Sequence, residues 1–122
     1  MANGKIKADQ IEHSTAGSLD TKFVVQGSAK VWCAFNGQGT IAVRDSFNTA
    51  SLTDTGTGAH TVNYTSAFAT VEYAVTVSHQ ENQANNAYAG HATNSVRTDS
   101  RNDAGTYSDV AHKSVIIHGD LA

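Results

Sequence analysis

The sequence predicts an all-β fold, an antiparallel β-sandwich of about seven to nine strands with an extended N-terminal arm. Short apolar/polar alternations recur from residue 28 onwards, with the period of strands that bury one face. Glycine-rich segments at residues 36–39 and 54–58 separate these alternations and supply the backbone freedom that tight hairpins require. Only 16% of the residues are charged and Thr, Ser and Asn are frequent, which favours strands and turns over long helices.

The chain of 122 residues is long enough for one hydrophobic core. We expect residues 1–27 to form an arm for attachment or oligomerisation and residues 28–122 to form the β-sandwich domain. Apolar residues in the arm are isolated, and the spacing of Ile6 and Ile11 fits neither helix nor strand clearly. We predict extended structure there, a loop at residues 14–18 and one strand near residues 23–25. Ile6 and Ile11 are the expected arm contacts.

The first strands of the domain follow from alternation and turn residues. Residues 29–36 are apolar on both faces and predict a central strand. After the first hairpin, residues 41–44 alternate, and polar residues predict breaks at residues 45–46 and 48–49. Leu52 should plug the core before the second glycine-rich turn. Residues 60–65 then alternate again.

The clearest strand is predicted at residues 71–78, where Val71, Tyr73, Val75 and Val77 share one face. Residues 79–86 are polar and predict an exposed loop. A weaker strand is expected at residues 88–97 and a second polar loop at residues 98–105. The apolar residues within 107–118 predict the segment that closes the sheet.

Composition and motifs argue against several classes of function. A net charge of −3 gives no basic surface for nucleic acid, and no segment reaches the ~18 apolar residues of a membrane span. There is no signal-peptide pattern at the N-terminus, so we expect synthesis in the cytoplasm. The carboxylates select no catalytic pair, and no nucleophile or phosphate-binding motif is present. We therefore predict that the protein is not an enzyme and binds no cofactor. A metal site is not predicted either, because the six histidines occur singly: His13, His60, His79, His91, His112 and His118.

Cys33 lies among apolar neighbours, which predicts a buried and inert thiol. The aromatic residues on strand patterns are expected in the core rather than on a sugar-stacking platform. They are Trp32, Phe35, Tyr64, Phe68 and Tyr73.

Four residues are the candidate contacts with a receptor or partner. Tyr88 and Tyr107 border the polar loops, where a tyrosine offers both an apolar ring and a hydroxyl. Arg97 and Arg101 lie in the same region and could pair with carboxylates or with acidic groups of glycans. The alternative for each arginine is an ordinary solvated ion pair.

The order of these segments resembles a module of the tail fibres and other virion appendages of tailed bacteriophages. GSAKVW (27–32) with FNG (35–37) resembles the beginning of that module, and RDSFN (44–48) with DTGTG (54–58) resembles its middle. HTVNY (60–64) and SVIIHG (114–119) resemble its later strands, and IKADQI (6–11) resembles the short lead before it. The resemblance implies a β-sandwich used as a structural, receptor-facing knob, commonly trimeric, without catalysis or cofactor.

We therefore expect a virion structural protein, a tail fibre or short appendage that assembles as a homo-oligomer, with a trimer favoured. Other virion proteins and a host surface glycan or protein are the expected partners; nucleic acid binding and membrane insertion are not expected. The short segment before the module also keeps a capsid decoration protein open. A monomeric carbohydrate-binding module is the alternative from another class, and a small hydrolase is a minor third.

Overall fold

Two four-stranded antiparallel sheets pack against each other in the computed structural model. The structure describes residues 4–80 and 85–122, and for residues 85–89 it describes the backbone alone. This architecture confirms the predicted all-β sandwich. The elements, in chain order, are β1 (Gln10–His13), β2 (Gly17–Asp20), α1 (Thr21–Gly27), β3 (Val31–Asn36), β4 (Ala42–Phe47), β5 (Thr49–Gly56), β6 (Ala59–Tyr64), β7 (Ala74–His79), β8 (Asn85–Ala92), β9 (Ser95–Arg101) and β10 (Lys113–His118).

The first sheet has the strand order β4-β3-β10-β7, and the second has the order β5-β6-β9-β8. Strand β3 is central, as predicted, and both predicted glycine-rich hairpins form, one between β3 and β4 and one between β5 and β6. The two middle strands of each sheet alternate between buried and less buried residues, so their inner faces supply most of the core.

The core joins inward-facing residues of both sheets. Cys33 and Phe35 from β3 and Val115 and Ile117 from β10 meet Val62 and Val96 of the second sheet. Leu52 packs against this cluster from β5, as predicted, and Cys33 is buried, as predicted.

An aromatic group closes one end of the sandwich. Tyr73 stacks on Phe68 and on His91, with ring centroids 4.6 Å apart in each pair, and its hydroxyl donates to the carbonyls of Ala92 and Ser95 at 2.9 Å. The Tyr64 hydroxyl lies 3.3 Å from that of Tyr73. Phe35, Tyr64, Phe68 and Tyr73 are all buried, which confirms their predicted place in the core.

Asn48 forms the corner where the chain leaves the first sheet for the second. Its φ of 55° is in the left-handed region, which asparagine tolerates better than most residues. The side-chain amide donates to the carbonyls of Lys30 and Ser66, each at 3.1 Å, and its oxygen accepts from the Ser66 N–H at 2.7 Å.

The arm contains more secondary structure than predicted. Strands β1 and β2 form a hairpin, followed directly by α1, and the Thr21 N–H donates to the Asp9 carbonyl at 2.9 Å. The strand predicted near residues 23–25 is wrong, because these residues lie in α1. No residue of the described arm is buried.

Four predictions for the body are also wrong in detail. Strand β4 continues through residues 45–46, which pair regularly with Ala34 and Cys33, and the bulge in this strand lies at Arg44 instead. The predicted clear strand begins only at Ala74, which leaves Val71 exposed outside it. In the predicted loop 79–86, residues 85–86 begin β8 and residues 81–84 lie outside the described part. The closing strand begins only at Lys113.

The largest error concerns β8 and β9. Residues 88–97 were expected as one strand, whereas two strands meet at a turn over residues 93–94. Residues 98–101, expected in an exposed loop, belong to central strand β9, and Thr98, Asp99 and Ser100 are buried. These polar residues are buried because each is hydrogen-bonded: the Thr98 hydroxyl donates to the His60 carbonyl, and the Ser100 hydroxyl to those of Gly58 and Ser108.

Candidate functional site

Arg97, Asp99 and Arg101 share one face of β9, since alternate residues of a strand point to the same side. The neighbouring Val96 packs in the core, so this face is the outer one. A backbone bridge between Arg101 and Tyr107 brings the loop after β9 back beside the strand. We call Arg97, Asp99, Arg101 and Tyr107 the Arg-Tyr face.

Contacts within the Arg-Tyr face fix both guanidinium groups. Arg97 Nε donates to Asp99 Oδ1 at 2.9 Å, where the Asp99 side chain is only 4% exposed and that of Arg97 is 42% exposed. Arg101 Nη2 donates to the Tyr107 hydroxyl at 2.7 Å, and its guanidinium carbon lies 4.3 Å from the Tyr107 ring centroid. Two cations around one carboxylate leave a net positive face that can donate hydrogen bonds to a carboxylate, sulfate or phosphate.

Three of the four predicted contact residues therefore come together: Arg97, Arg101 and Tyr107. For the fourth, Tyr88, only the backbone is described, and it lies in β8 opposite Thr98. Sequence reasoning missed Asp99, which joins the cluster through Arg97 and through the Tyr107 hydroxyl at 3.4 Å. The i, i+2, i+4 spacing of residues 97, 99 and 101 was the available signal.

Lys113 lies fully buried between the sheets, beneath β9. Its ammonium donates to the carbonyls of Thr98 at 3.0 Å and Gly58 at 3.3 Å. Burial lowers the pKa of Lys113 to about 8, although the carboxylates of Asp99 and Asp109 favour its charged form. Lys113 alternates along β10 with Val115 and Ile117, so it shares their core-facing side of the strand.

His60 is the second buried basic residue of this layer. Its ring meets Phe35 edge to face with centroids 5.6 Å apart, and Gly37 covers it so closely that a Cβ there would lie 2.8 Å from His60 Cε1. Burial, and then the nearby Lys113 charge, lower the pKa of His60 and favour the neutral ring. Among residues 4–80 and 85–122, no three side chains of His, Cys, Asp or Glu assemble as a metal site.

Both predicted arm contacts, Ile6 and Ile11, line an apolar groove on the arm. Ile6 is 97% exposed and Ile11 is 55% exposed. The groove has a volume of about 330 Å³, and Val24 and Val25 of α1 form its other wall. We call this depression the arm groove.

A second apolar surface lies on the outer face of the first sheet, and we call it the outer stripe. Trp32 pairs with Phe47 on one side and with Ile116 on the other, so the three side chains form a row across β4, β3 and β10. Phe47 is 55% exposed and Ile116 is 43% exposed. The expected place of Trp32 in the core is wrong, because it alternates with the inward-facing Val31 and Cys33.

The helix content of the described part is confined to α1, whose seven residues are far fewer than the ~20 that cross a bilayer. No family model, curated protein or solved structure matches the chain in the comparisons made with each. The assignment of a function therefore depends on the arm, the Arg-Tyr face and the outer stripe.

Proposed function

We propose that this protein is a structural component of a bacteriophage virion, a tail fibre or short appendage that assembles as a homo-oligomer through residues 1–27. A trimer is the expected assembly, and the Arg-Tyr face is the surface turned to the host or to another virion protein. The resemblance of the strand and turn segments to phage appendage modules supports the class of protein. Assembly through the arm is proposed because apolar side chains of the arm, among them Ile6, Phe23 and Val25, are exposed.

The arm has little stability of its own. Its helix has only seven residues, whereas isolated helices shorter than roughly 12 residues are marginal in water. Asp20 makes no side-chain cap hydrogen bond at the helix start, and the first turn holds no acidic residue. Phe23 and Val25 remain more than half exposed, at 57% and 64%. A partner that covers these side chains supplies the missing stabilisation.

The Arg-Tyr face suits a contact role because its donors are held in place before binding. Asp99 orients Arg97, and Tyr107 orients Arg101 through stacking and a hydrogen bond. Preorganised groups lose less conformational entropy when they bind. Acidic groups of a host glycan or a carboxylate of another virion protein match the chemistry of two guanidinium groups.

Light scattering of the full chain and of a variant lacking residues 1–27 tests assembly. We expect a trimer for the full chain and a folded monomer for the truncated one. A monomeric full chain would contradict the oligomer and favour a decoration protein or a carbohydrate-binding module. An oligomer that persists after truncation would contradict assembly through the arm.

Binding to an acidic polysaccharide tests the Arg-Tyr face. Arg97→Gln and Arg101→Gln should each weaken binding and its salt dependence, since each removes one cation. Arg44→Gln is the matched control, because Arg44 lies on the other sheet and is also hydrogen-bonded, to His112 and the Ala111 carbonyl. Equal losses in all three variants would contradict a role specific to this face.

One observation favours the carbohydrate-binding module as a second candidate. Trp32 and Phe47 stand side by side on an outer sheet surface, and aromatic rings of this kind can stack against the apolar face of a sugar. In that case, Phe47→Ala should abolish binding to neutral polysaccharides and leave the mass in solution unchanged.

A further inference from the structure

We propose that the arm of one copy packs on the outer stripe of a second copy, with Phe47 of that copy seated in the arm groove. This inference rests on the proposed homo-oligomer and names the surface that holds it together. The outer stripe of each copy is covered by the arm of another copy, so the two surfaces in each contact are different parts of the chain.

The outer stripe is continuous because its residues are cross-strand neighbours. Phe47, Trp32 and Ile116 occupy one row across three hydrogen-bonded strands, and Thr76 of β7 continues it. Side chains directly opposite each other on neighbouring strands lie within contact distance of one another. The sandwich core does not use this row, since Val31, Cys33 and Val115 on the same strands face inward.

The arm groove fits an aromatic side chain in size and chemistry. Most of its lining is apolar, from Ile6, Ala8, Ile11, Val24 and Val25, and Lys7 and Thr21 also line it. Its volume of about 330 Å³ exceeds the roughly 150 Å³ of an apolar cavity that can hold benzene. Phe47 is the most exposed aromatic side chain on the described part of the body, so its ring can enter such a groove without unfolding β4.

The connection between arm and body is short. Only residues 28–30 separate α1 from β3, so Gly27 lies at most about 14 Å from Val31. The Lys30 N–H donates to the Ile117 carbonyl at 2.8 Å, one residue from Ile116 of the stripe. The Lys30 ammonium also donates to the Val25 carbonyl, which ties the end of α1 to the beginning of β3.

Within one copy, both surfaces stay uncovered, because Phe23, Val25, Phe47 and Ile116 all remain exposed. Each copy therefore offers one arm and one stripe. Two copies can satisfy both contacts by exchanging arms about a two-fold axis, or the contacts can continue from copy to copy until a ring closes. The expected trimer corresponds to a ring of three.

Two single substitutions separate the two halves of this contact. Val24→Asp places a charge in the arm groove, and Phe47→Asp places one on the stripe. We expect a monomer from each variant alone by light scattering. An equimolar mixture should give a dimer, because the intact arm of the Phe47→Asp chain can still bind the intact stripe of the Val24→Asp chain. Val71→Asp is the control for an added surface charge, since Val71 is 42% exposed outside both surfaces.

The other outcomes are distinct. A monomeric wild-type chain overturns the homo-oligomer itself. A Phe47→Asp variant that keeps the wild-type mass while Val24→Asp becomes monomeric overturns the stripe and leaves arm-mediated assembly standing. Loss of polysaccharide binding at unchanged mass in Phe47→Asp assigns the stripe to a glycan instead.

A disulfide trap gives a second measurement that does not depend on the charged variants. Chains with Val24→Cys and differently tagged chains with Asp45→Cys should link under mild oxidation when mixed, because Asp45 lies beside Phe47 on the same face of β4 and leaves the Phe47 ring in place. Val24→Cys with Val71→Cys is the matched control pair and should not link. Equal linkage in both pairs would overturn the proposed contact.

Discussion

Lys113 holds its ammonium in a place that a lysine seldom occupies. It is 2% exposed and its two hydrogen bonds go to backbone carbonyls, not to a carboxylate. The charged groups around it are Asp99 and Asp109, which favour the ammonium, and Arg97, which opposes it. His60, the other basic group of this layer, is held neutral by burial. Lys113 therefore carries the buried positive charge near neutral pH.

The contribution of Lys113 to the stability of the protein should rise between pH 8 and about 10.5. Below pH 8 the folded and unfolded chains are both protonated at this residue, so its contribution is constant. Above pH 8 the folded chain loses the proton while the unfolded chain keeps it, and the unfolded state then binds more protons. The full gain is roughly 3 kcal/mol. Chemical unfolding of the wild type and of Lys113→Met across this range measures it.

The comparison with Lys113→Met is needed because Cys33, Tyr64 and Tyr73 act in the opposite direction. Burial raises the pKa of each of these groups, so the unfolded chain loses their protons first, and their contribution to stability falls as pH rises through about 9 for the thiol and about 10 for the phenols. Both proteins contain these three residues, and their effects cancel in the difference. Parallel stability curves for the two proteins would contradict the lysine prediction.

Residue patterns predicted part of the candidate site. Tyr107 is predicted because it borders a polar loop, and Arg97 and Arg101 because they lie in the same region; the structure brings the three together. Asp99 was missed because its segment is predicted as a loop, where side chains are not expected to alternate between two faces, so its spacing from Arg97 and Arg101 carried no weight. A hydropathy pattern cannot distinguish a hydrogen-bonded buried carboxylate from a solvated one.

At the scale of elements, β9 and α1 show why pattern reasoning fails in opposite ways. Strand β9 is polar through Thr98, Asp99 and Ser100, yet it is central because Gly58 and Ser108 supply the hydrogen bonds. Helix α1 contains Phe23, Val24 and Val25, a run that favours a strand. In contrast, β3 and the two glycine-rich hairpins were predicted, because apolar alternation and turn residues agree there.

The hairpin between β5 and β6 depends on Gly58. Its φ is +69°, and a Cβ there would lie 2.5 Å from the Ser100 carbonyl oxygen and 2.7 Å from the Ser108 nitrogen. Gly58→Ala should therefore lower the free energy of unfolding by roughly 2–4 kcal/mol, from the left-handed backbone and the backbone overlap together. Denaturant unfolding measures the loss.

Gly39→Ala is the matched control for that experiment. Gly39 has a φ of +65°, and a Cβ there would meet nothing within 4 Å. The Gly39→Ala variant should lose only roughly 1–2 kcal/mol of its free energy of unfolding, the cost of an alanine in the left-handed conformation. If the two variants lose the same free energy, close approach at Gly58 does not matter.

The corner at Asn48 gives another prediction. Asn48→Asp keeps the acceptor for the Ser66 N–H but faces the Lys30 and Ser66 carbonyls with a carboxylate that cannot donate. We expect a loss of roughly 2 kcal/mol in the free energy of unfolding at pH 7. Thermal or denaturant unfolding would detect it.

Asn63→Asp is the comparison for Asn48→Asp. The Asn63 amide donates to the hydroxyls of Ser51 and Thr53 at 3.1 and 3.0 Å, and the Ser51 carbonyl lies farther away at 3.5 Å. Both hydroxyls can turn and donate to a carboxylate instead. Its loss should be less than roughly 0.5 kcal/mol, as for most surface changes. A loss equal to that of Asn48→Asp would show that carbonyl partners are not the cause.

At the scale of the whole molecule, arm and body differ in what stabilises them. The body has a shared core between two sheets, whereas the described arm buries no residue. Amide exchange should therefore be fast at residues 10–27 in dilute protein and slow at concentrations where copies associate, because association supplies the arm's stability. Exchange in β3 and β10 should not change. Equal protection of the arm at all concentrations would contradict this division.

Cys33 makes the chain a natural reporter of its own opening. It is the one cysteine in 122 residues, and it lies 1% exposed at the centre of β3. A thiol reagent can reach Cys33 only when the body opens, so the rate at which Cys33 is labelled reports how often the body opens. The arm contains no cysteine and therefore does not contribute to the labelling. One unmodified protein can thus report the lifetime of the closed sandwich, whatever state its arm is in.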